Sequence, residues 1–371
     1  MIIGIPRERF VDERRVALSP AGVRTLVESG ATVYVENDAG FEAGWKDSEY
    51  EQDGAVIAYN EGEAFQRADL LLKVLPPCFE EREMFREEQI VMSYLQLPLA
   101  RREIFDSMVK QRVTAIGLEN IENESGHPVR KAMSEIAGTL AVHNAVQYML
   151  AEKGGRGILM CGAPGVPPAS VGIIGAGVVG TAAAEAALNM GAHVILVDQW
   201  IYPLRSALQR FGNRLQTAVF SEHYLEKLCG FVDVLIGAVL LEDNPAPHMI
   251  SRETIRSMKH RAVFVDVSID QGGISETSRP STISNPVYKD EGVIHFTVPN
   301  MPAQVPRTST RAFQAQVLPF IKQIMNLGIK DALKSHPYMA TGLNLFDGTV
   351  TRKQVGHEFD VDWTPIEEVL R

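Results

Sequence analysis

Cysteine is scarce in this 371-residue chain: three occur, at 78, 161 and 229, widely spaced and never as Cys-x-x-Cys. An odd, scattered set gives neither a disulfide framework nor a thiolate metal site, so Cys78, Cys161 and Cys229 read as buried free thiols. No apolar run approaches the roughly 20 residues of a membrane helix. The opening Met1-Ile-Ile-Gly-Ile-Pro6 meets charge too soon for a secretory leader and reads as a first strand. The nine histidines never recur at i, i+4 and none adjoins a cysteine, which speaks against a metal site; His143 reads as a satisfied core histidine. Neither a Gly-x-Ser-x-Gly elbow nor a Ser-His-Asp arrangement is visible, which disfavours hydrolase chemistry. Basic blocks are missing as well. With Lys+Arg 36 against Asp+Glu 46, the net charge is −10, a balance that argues against a nucleic-acid surface. These absences leave a cytoplasmic protein that acts on small molecules, with no nucleic-acid or membrane partner.

What is present is the composition of a globular protein, 45% hydrophobic and 22% charged, in a chain long enough for two cores. Short apolar runs alternate with helical stretches, the pattern of parallel sheets joined by crossover helices. Strands are expected at Ile2–Ile5, Thr32–Glu36, Asp69–Val74, Gln89–Leu95 and Arg112–Leu118, and again near 171–174, 193–197, 216–219, 232–238, 261–267 and 295–298. A long helical stretch from Met133, closed by Gly154-Gly155, suits a connector between domains. A helix is expected to open on the capping residues Thr308-Ser309-Thr310, to run to Gly328 and to return with the tail to the first domain. The expected fold is therefore α/β, two doubly wound parallel-sheet domains, with residues 1–130 plus 307–371 forming one and 131–306 the other.

The sharpest motif is Val171-Gly-Ile-Ile-Gly175-Ala-Gly177-Val178-Val179-Gly180, where a β-branched strand runs into Gly-x-Gly-x-x-Gly and then a helix of small residues. Gly175 allows the tight turn, Gly177 lets backbone approach a pyrophosphate, and Gly180 lets helix and strand pack closely. The helix start supplies amides and a positive dipole end for the phosphates. A second strand ends on Asp198, 18 positions after Gly180, where a carboxylate accepts the adenosine ribose hydroxyls and selects NAD over NADP.

Ligands of open parallel sheets bind beyond the carboxyl ends of the strands, so the residues just past each strand carry the candidate chemistry. Asp270 in Val265-Asp-Val-Ser-Ile-Asp270-Gln-Gly-Gly273 is a proton-handling or polarising candidate, although aspartate before glycine is also the ordinary make-up of a turn. Arg15, in the charged run Arg7 to Arg15, offers a fork that matches a carboxylate, against the blander reading of a solvated charge cluster. Lys73 is the one basic side chain in an otherwise apolar strand, an unusual place for a charge unless it reaches a partner or ligand.

Over essentially its whole length the chain resembles the alanine dehydrogenase and transhydrogenase NAD-domain family. The matching segments include Gly4-Ile-Pro-Arg-Glu-Arg9, Arg15-Val-Ala-Leu-Ser-Pro20, Met133-Ser-Glu-Ile-Ala-Gly138, Gly162-Ala-Pro-Gly-Val-Pro-Pro168, Asp266-Val-Ser-Ile-Asp-Gln-Gly-Gly273 and Asn300-Met-Pro-Ala-Gln-Val-Pro-Arg-Thr-Ser-Thr310. The resemblance implies two Rossmann-like domains with a cleft between them, NAD held by the second, and assembly into a homo-oligomer, dimer or hexamer. It implies that Ser134, Asp198, Val239, Leu240, Val267, Asp270, Val298, Asn300 and the adjoining Met301 approach NAD, beside the glycine turn and Val178 and Val179. Arg15 matches the arginine that holds the substrate carboxylate. Two further substrate contacts depart from the pattern: the family's Lys-Val-Lys-Glu-Pro reads Lys73-Val-Leu75-Pro-Pro here, and its Leu-His-Leu reads Leu95-Gln96-Leu97. Gln96 orients a carbonyl but does not titrate near neutrality, and Lys73 is expected to compensate in part for the lost lysine. The implied activity is that of an NAD-dependent amino-acid dehydrogenase. A reductive aminase joining an amine and a keto acid, and an NAD-binding transhydrogenase-like or sensor protein without turnover, stay open as alternatives.

Overall fold

The computed structural model describes residues 1–239 and 248–371. They divide into two compact units, Met1–Met133 with Val305–Arg371, and Ser134–Gln304.

The first unit begins with six parallel strands, β1 (Ile2–Ile5), β2 (Thr32–Glu36), β3 (Val56–Ala58), β4 (Leu70–Leu72), β5 (Ile90–Ser93) and β6 (Thr114–Gly117), in the spatial order β3-β2-β1-β4-β5-β6. The central strands are buried, β4, β5 and β6 throughout: Ile3, Ile5, Leu70, Leu71, Leu72, Val91 and Met92 are each 0% exposed, the continuous apolar character of strands covered on both faces. The second unit holds β7 (Ser170–Ile174), β8 (His193–Asp198), β9 (Leu215–Val219), β10 (Val234–Gly237), β11 (Val263–Asp266), β12 (Val287–Asp290) and β13 (Val293–Phe296), ordered β9-β8-β7-β10-β11-β13-β12. Among the described residues of that sheet, β12 alone runs antiparallel. The chain then returns to the first sheet with β14 (Leu343–Phe346), antiparallel to β6, and β15 (Thr349–Val350) at its edge. Both sheets thus have the doubly wound arrangement expected from the sequence. In each the strand order reverses beside the first strand, between β1 and β4 and between β7 and β10, and the crevice beyond the strand ends at that point is where such sheets bind ligands.

Several local expectations are corrected. The helix expected from Thr308 spans Pro306–Leu327, with Pro306 in its first turn, so Thr308, Ser309 and Thr310 lie inside it; Ser309 and Thr310 are buried. Proline suits that start because the first amides of a helix have no partner within it. His143 lies exposed on the Pro128–Met149 helix, and of the three thiols only Cys229 is buried, Cys161 being exposed. The tail is anchored by Phe359 stacked on Phe105, centroids 4.1 Å apart and planes within 8°. Among the described residues no helix is long and apolar enough to cross a membrane.

Candidate functional site

In the first unit the candidate substrate residues follow β1, β4, β5 and β6. Arg15 is 4% exposed and is held from two directions. The Pro306–Leu327 helix clamps its segment: the Thr310 hydroxyl donates to the Val16 carbonyl at 2.8 Å and accepts from the Val16 amide at 3.2 Å. Gln314 Oε1 accepts from both the amide and the hydroxyl of Ser19, at 2.9 and 2.8 Å. Glu13 then grips the guanidinium side-on, its Oε1 taking Nε at 2.7 Å and its Oε2 taking Nη2 at 2.6 Å, while Nη1 reaches Met133 Sδ at 3.4 Å. Burial works against the Arg15 charge, but the hydrogen bond and charge of Glu13 outweigh it and the guanidinium stays ionised. A fixed, desolvated arginine of this kind suits recognition of a planar anion. It lines an open cleft of about 460 Å³ with Arg7, Glu8, Arg9, Glu13 and Arg14.

Lys73 has a different setting from the expected one. β4 ends at Leu72, and the lysine just beyond it is 1% exposed, with Nζ 2.5 Å from Glu81 Oε1 and 3.8 Å from Glu8 Oε2. Burial opposes its charge, yet Glu8 and Glu81 hold the ammonium above its ordinary range. Lys73 is an internal counter-ion, since an ammonium enclosed by two carboxylates is not offered to a ligand. Burial pushes the Glu81 carboxyl up to about 7 despite Lys73, and raises Glu8 as well. A carboxyl raised in the fold binds a proton that the unfolded chain has already released, so stability falls as pH rises from the ordinary glutamate range through about 7. The melting temperature is therefore expected to be higher at pH 5.5 than at pH 8. Scanning calorimetry checks this, and Glu81→Gln should flatten the dependence.

Gln96 follows β5 in the left-handed region, φ 42° and ψ 40°, with an exposed side chain. Glu119, beyond β6, makes that backbone possible by accepting the amides of Leu95 and Gln96 at 3.0 and 2.9 Å. Glu119 escaped the sequence reading. Its signal was a carboxylate directly after the apolar run Thr114–Leu118, where a charge needs a reason. Leu75 is half-buried, and its amide points at Glu8.

In the second unit the glycine turn can be tested residue by residue. Gly175 has φ +102°, and a Cβ there would stand 2.4 Å from the Ala238 carbonyl. A Cβ on Gly180 would be 1.8 Å from Gly175 O, so these two glycines serve the fold. Gly177 does not: its φ is −73° and a Cβ would meet nothing within 4 Å. The protein leaves that space bare without a packing reason, which fits a ligand passing against the backbone. Gly177 is also the N-cap of the Val178–Asn189 helix and provides no side-chain cap, so Val178 and Val179 belong to the uncapped first turn. Gly138 lets the Pro128–Met149 helix press on this start, since a Cβ there would be 2.2 Å from Val179 O. Ser134, four residues earlier, shares that face.

Asp198 ends β8 with its carboxylate tied to the turn, Oδ2 accepting the Ala176 amide at 2.7 Å and Oδ1 the Trp200 amide at 2.8 Å. Past β10, Val239 is bound in both directions by the Ser268 hydroxyl, at 3.1 and 2.7 Å, next to Val267. Leu240 lies outside the described residues. Asp270 sits exposed in the turn Val267–Gln271, its Oδ1 accepting the amide of Asn300, itself at φ +50°. That turn is fixed from below by fully buried Asp266, which accepts from the Ser268 and Ile274 amides at 3.0 and 2.9 Å and from the Ser278 hydroxyl at 2.5 Å. Val298 and Met301, each 2% exposed, back the Asn300 segment from within.

Paired doubly wound units, one carrying a bare glycine turn tied to a strand-end carboxylate, define the class of two-domain dinucleotide-binding proteins. The family is set by comparison. The model of the alanine dehydrogenase/PNT N-terminal domain matches residues 4–137 and that of the C-terminal domain matches residues 141–353. The chain is 39% identical over 372 residues to the alanine dehydrogenase of Methanococcus maripaludis and 38% identical over 373 to that of Staphylococcus epidermidis, with all of each chain covered. A solved L-alanine dehydrogenase superimposes with a TM-score of 0.92 at 37% identity, covering 97% of this chain and 99% of the other. A transhydrogenase from Sinorhizobium meliloti, TM-score 0.80 over 95% of this chain and 99% of its own, shares the fold at 24% identity. The chain belongs to the alanine dehydrogenase/PNT family.

Proposed function

We propose that this protein is an NAD-dependent amino-acid dehydrogenase of the alanine dehydrogenase type, converting an L-amino acid, NAD and water to a 2-keto acid, ammonia and NADH. The observation that carries the reading is the bare Gly177, left without a side chain where neither its φ nor its neighbours require glycine, at a turn held to Asp198 through the Ala176 amide. In this reading the second unit takes NAD, the pyrophosphate at the amides of Gly177, Val178 and Val179 and the ribose at Asp198, with Ser134, Val239, Leu240, Val267, Val298, Asn300 and Met301 around it. When bound, NAD supplies the hydride acceptor or donor for the substrate's α-carbon. The first unit takes the substrate. Arg15 clamps the carboxylate, Gln96 orients the carbonyl or imine, and Asp270 assists proton transfer or polarises the attacking water. Lys73 has no place in this scheme because Glu81 and Glu8 occupy it. The reading extends to a cytoplasmic homo-oligomer, dimer or hexamer, supported by the family resemblance.

The test is consumption of NADH with ammonia across a panel of 2-keto acids, beside titrations of NADH and NADPH. NADH should bind far better than NADPH, because Asp198 repels a 2′-phosphate. Asp198→Ala should weaken NADH binding by about 1–3 kcal/mol, the cost of charge-assisted hydrogen bonds, and narrow the preference. Asp198→Asn should weaken it less, since the amide keeps an acceptor for Ala176 or Trp200. Equal affinities of the native protein for the two nucleotides would refute the assignment of Asp198.

A further inference from the structure

Gln96 leaves a chemical gap in the substrate unit: forming an imine from a keto acid and ammonia moves protons at the substrate oxygen, and an amide side chain does not donate and recover them. The buried charges past β1 and β4 show what fills it. Three carboxylates, Glu8, Glu13 and Glu81, lie with two cations, Arg15 and Lys73, and all five are buried. Geometry assigns the pairs. Arg15 is bidentate with Glu13, and Lys73 is 2.5 Å from Glu81 but 3.8 Å from Glu8. Leu75 adds no cation. Glu8 is therefore the carboxylate left without a close counter-charge, and its two oxygens differ. Oε1 accepts the Val74 amide at 2.6 Å, whereas among the described residues Oε2 has the Leu75 amide at 3.4 Å and the distant lysine. Oε2 is the oxygen suited to carry a proton. Glu8 also lines the cleft that Arg15 lines.

We propose that Glu8 is the acid–base residue of the substrate cleft, donating the proton from Oε2 to the substrate's carbonyl oxygen and so doing the work of an imidazole at position 96. The inference rests on the dehydrogenase reading above. As the ammonia nitrogen adds to the carbonyl carbon, a C–N bond forms and the C=O π pair moves to oxygen, which takes the Glu8 proton. The carboxylate accepts a proton from the new ammonium nitrogen and passes it to the hydroxyl, which leaves as water while the nitrogen lone pair closes C=N. Glu8 ends ionised and regains its proton from solvent. The charged groups that act on it are Lys73 at the end of β4 and, on its own segment, Glu13 and the Arg15 guanidinium that Glu13 pairs with. Burial, the largest influence, and Glu13 favour the neutral acid; Lys73 and the two amides oppose them, and the carboxyl is raised on balance.

The experiment compares native protein with Glu8→Gln. Turnover of keto acid, ammonia and NADH should fall about 100-fold or more, the usual worth of an acid–base group, and the loss of rate at high pH that reports the acid should vanish. The NADH dissociation constant should stay unchanged. Adding Gln96→His to Glu8→Gln should restore much of the rate, which a merely structural glutamate would not allow. Independently of turnover, the infrared difference spectrum of native protein minus Glu8→Gln at neutral pH should contain a carboxylic-acid C=O band, over and above the contribution of Glu81 that both proteins share. An unaltered rate and pH profile, or a difference spectrum without that band, overturns the proposal. If Glu8→Gln does not fold, Glu81→Gln serves: it frees Lys73 to approach Glu8 and should move the high-pH limb to lower pH, and an unmoved limb overturns the proposal. Native protein that shows the Glu8 band but turns over no keto acid would instead refute the dehydrogenase reading.

Discussion

Replacing Arg15 by alanine is expected to raise the KM for every 2-keto acid by roughly 30- to 700-fold, the factor that corresponds to losing about 2–4 kcal/mol of buried, charge-assisted hydrogen bonding. The effect is large because the guanidinium is already desolvated and already aimed. Glu13 fixes one edge of the fork, and Thr310 and Gln314 fix the backbone that carries it. Little ordering remains to be done when a carboxylate arrives, and little water has to leave. Arg15→Lys should recover only part of the loss, because a point charge on a flexible stem does not reproduce the bidentate edge. Each variant also takes the bidentate partner from fully buried Glu13, so the melting temperature should fall together with substrate affinity. Fluorescence titration with NADH separates the two explanations. An unchanged nucleotide affinity beside a raised KM marks a substrate contact, and a nucleotide affinity that falls in step would show Arg15 to be a scaffold residue.

Much of this was legible from the sequence where local pattern and burial agree. The strands β1, β2, β7 and β8 are β-branched runs bounded by charge or glycine, and their limits in the fold are within a residue of the expected ones. The edges were harder. β3 has three residues and β12 is half-exposed, so neither carries a strong apolar run. The hairpin β14–β15 was missed although Asp347-Gly348, both at positive φ, is the turn pair that favours a two-residue hairpin. For the site, residue type gave the candidates but not their partners. Arg15 and Lys73 both read as cations beyond a strand; only the fold shows that one borders a cleft and the other is enclosed by Glu81 and Glu8. Ser309 and Thr310 read as caps because their hydroxyls favour helix starts. In the fold they are buried, and Thr310 pins the Arg15 segment 294 positions away, a long-range bond that no local pattern announces.

The double change Leu75→Lys with Gln96→His is expected to raise kcat/KM for pyruvate plus ammonia by roughly 10- to 100-fold, the factor for adding one charged hydrogen bond of about 1.5–3 kcal/mol, while the acid–base work moves from Glu8 to the imidazole. The structure explains why the two substitutions belong together. Gln96 occupies a left-handed backbone that Glu119 holds through two amides, and histidine is among the residues that tolerate such a conformation, so the imidazole can enter without moving the loop. A lysine at 75 would place a cation beside Glu8, whose Oε2 already faces the residue 75 amide, and would favour the ionised carboxylate. The proton task would then pass from Glu8 to His at position 96, and the rate should acquire a limb near the imidazole range. Substrate preference should move with it. Leu75 puts an apolar side chain where the family pattern has a lysine, worth about 0.8 kcal/mol for each methylene of a larger substrate side chain packed against it, whereas a lysine there favours small, polar keto acids. Native protein should therefore prefer a branched or longer keto acid over pyruvate, and the double variant should reverse that order. Vigorous alanine oxidation by the native protein, with no gain in the double variant, would show that both departures are silent and that Glu8 or Asp270 already serves pyruvate fully.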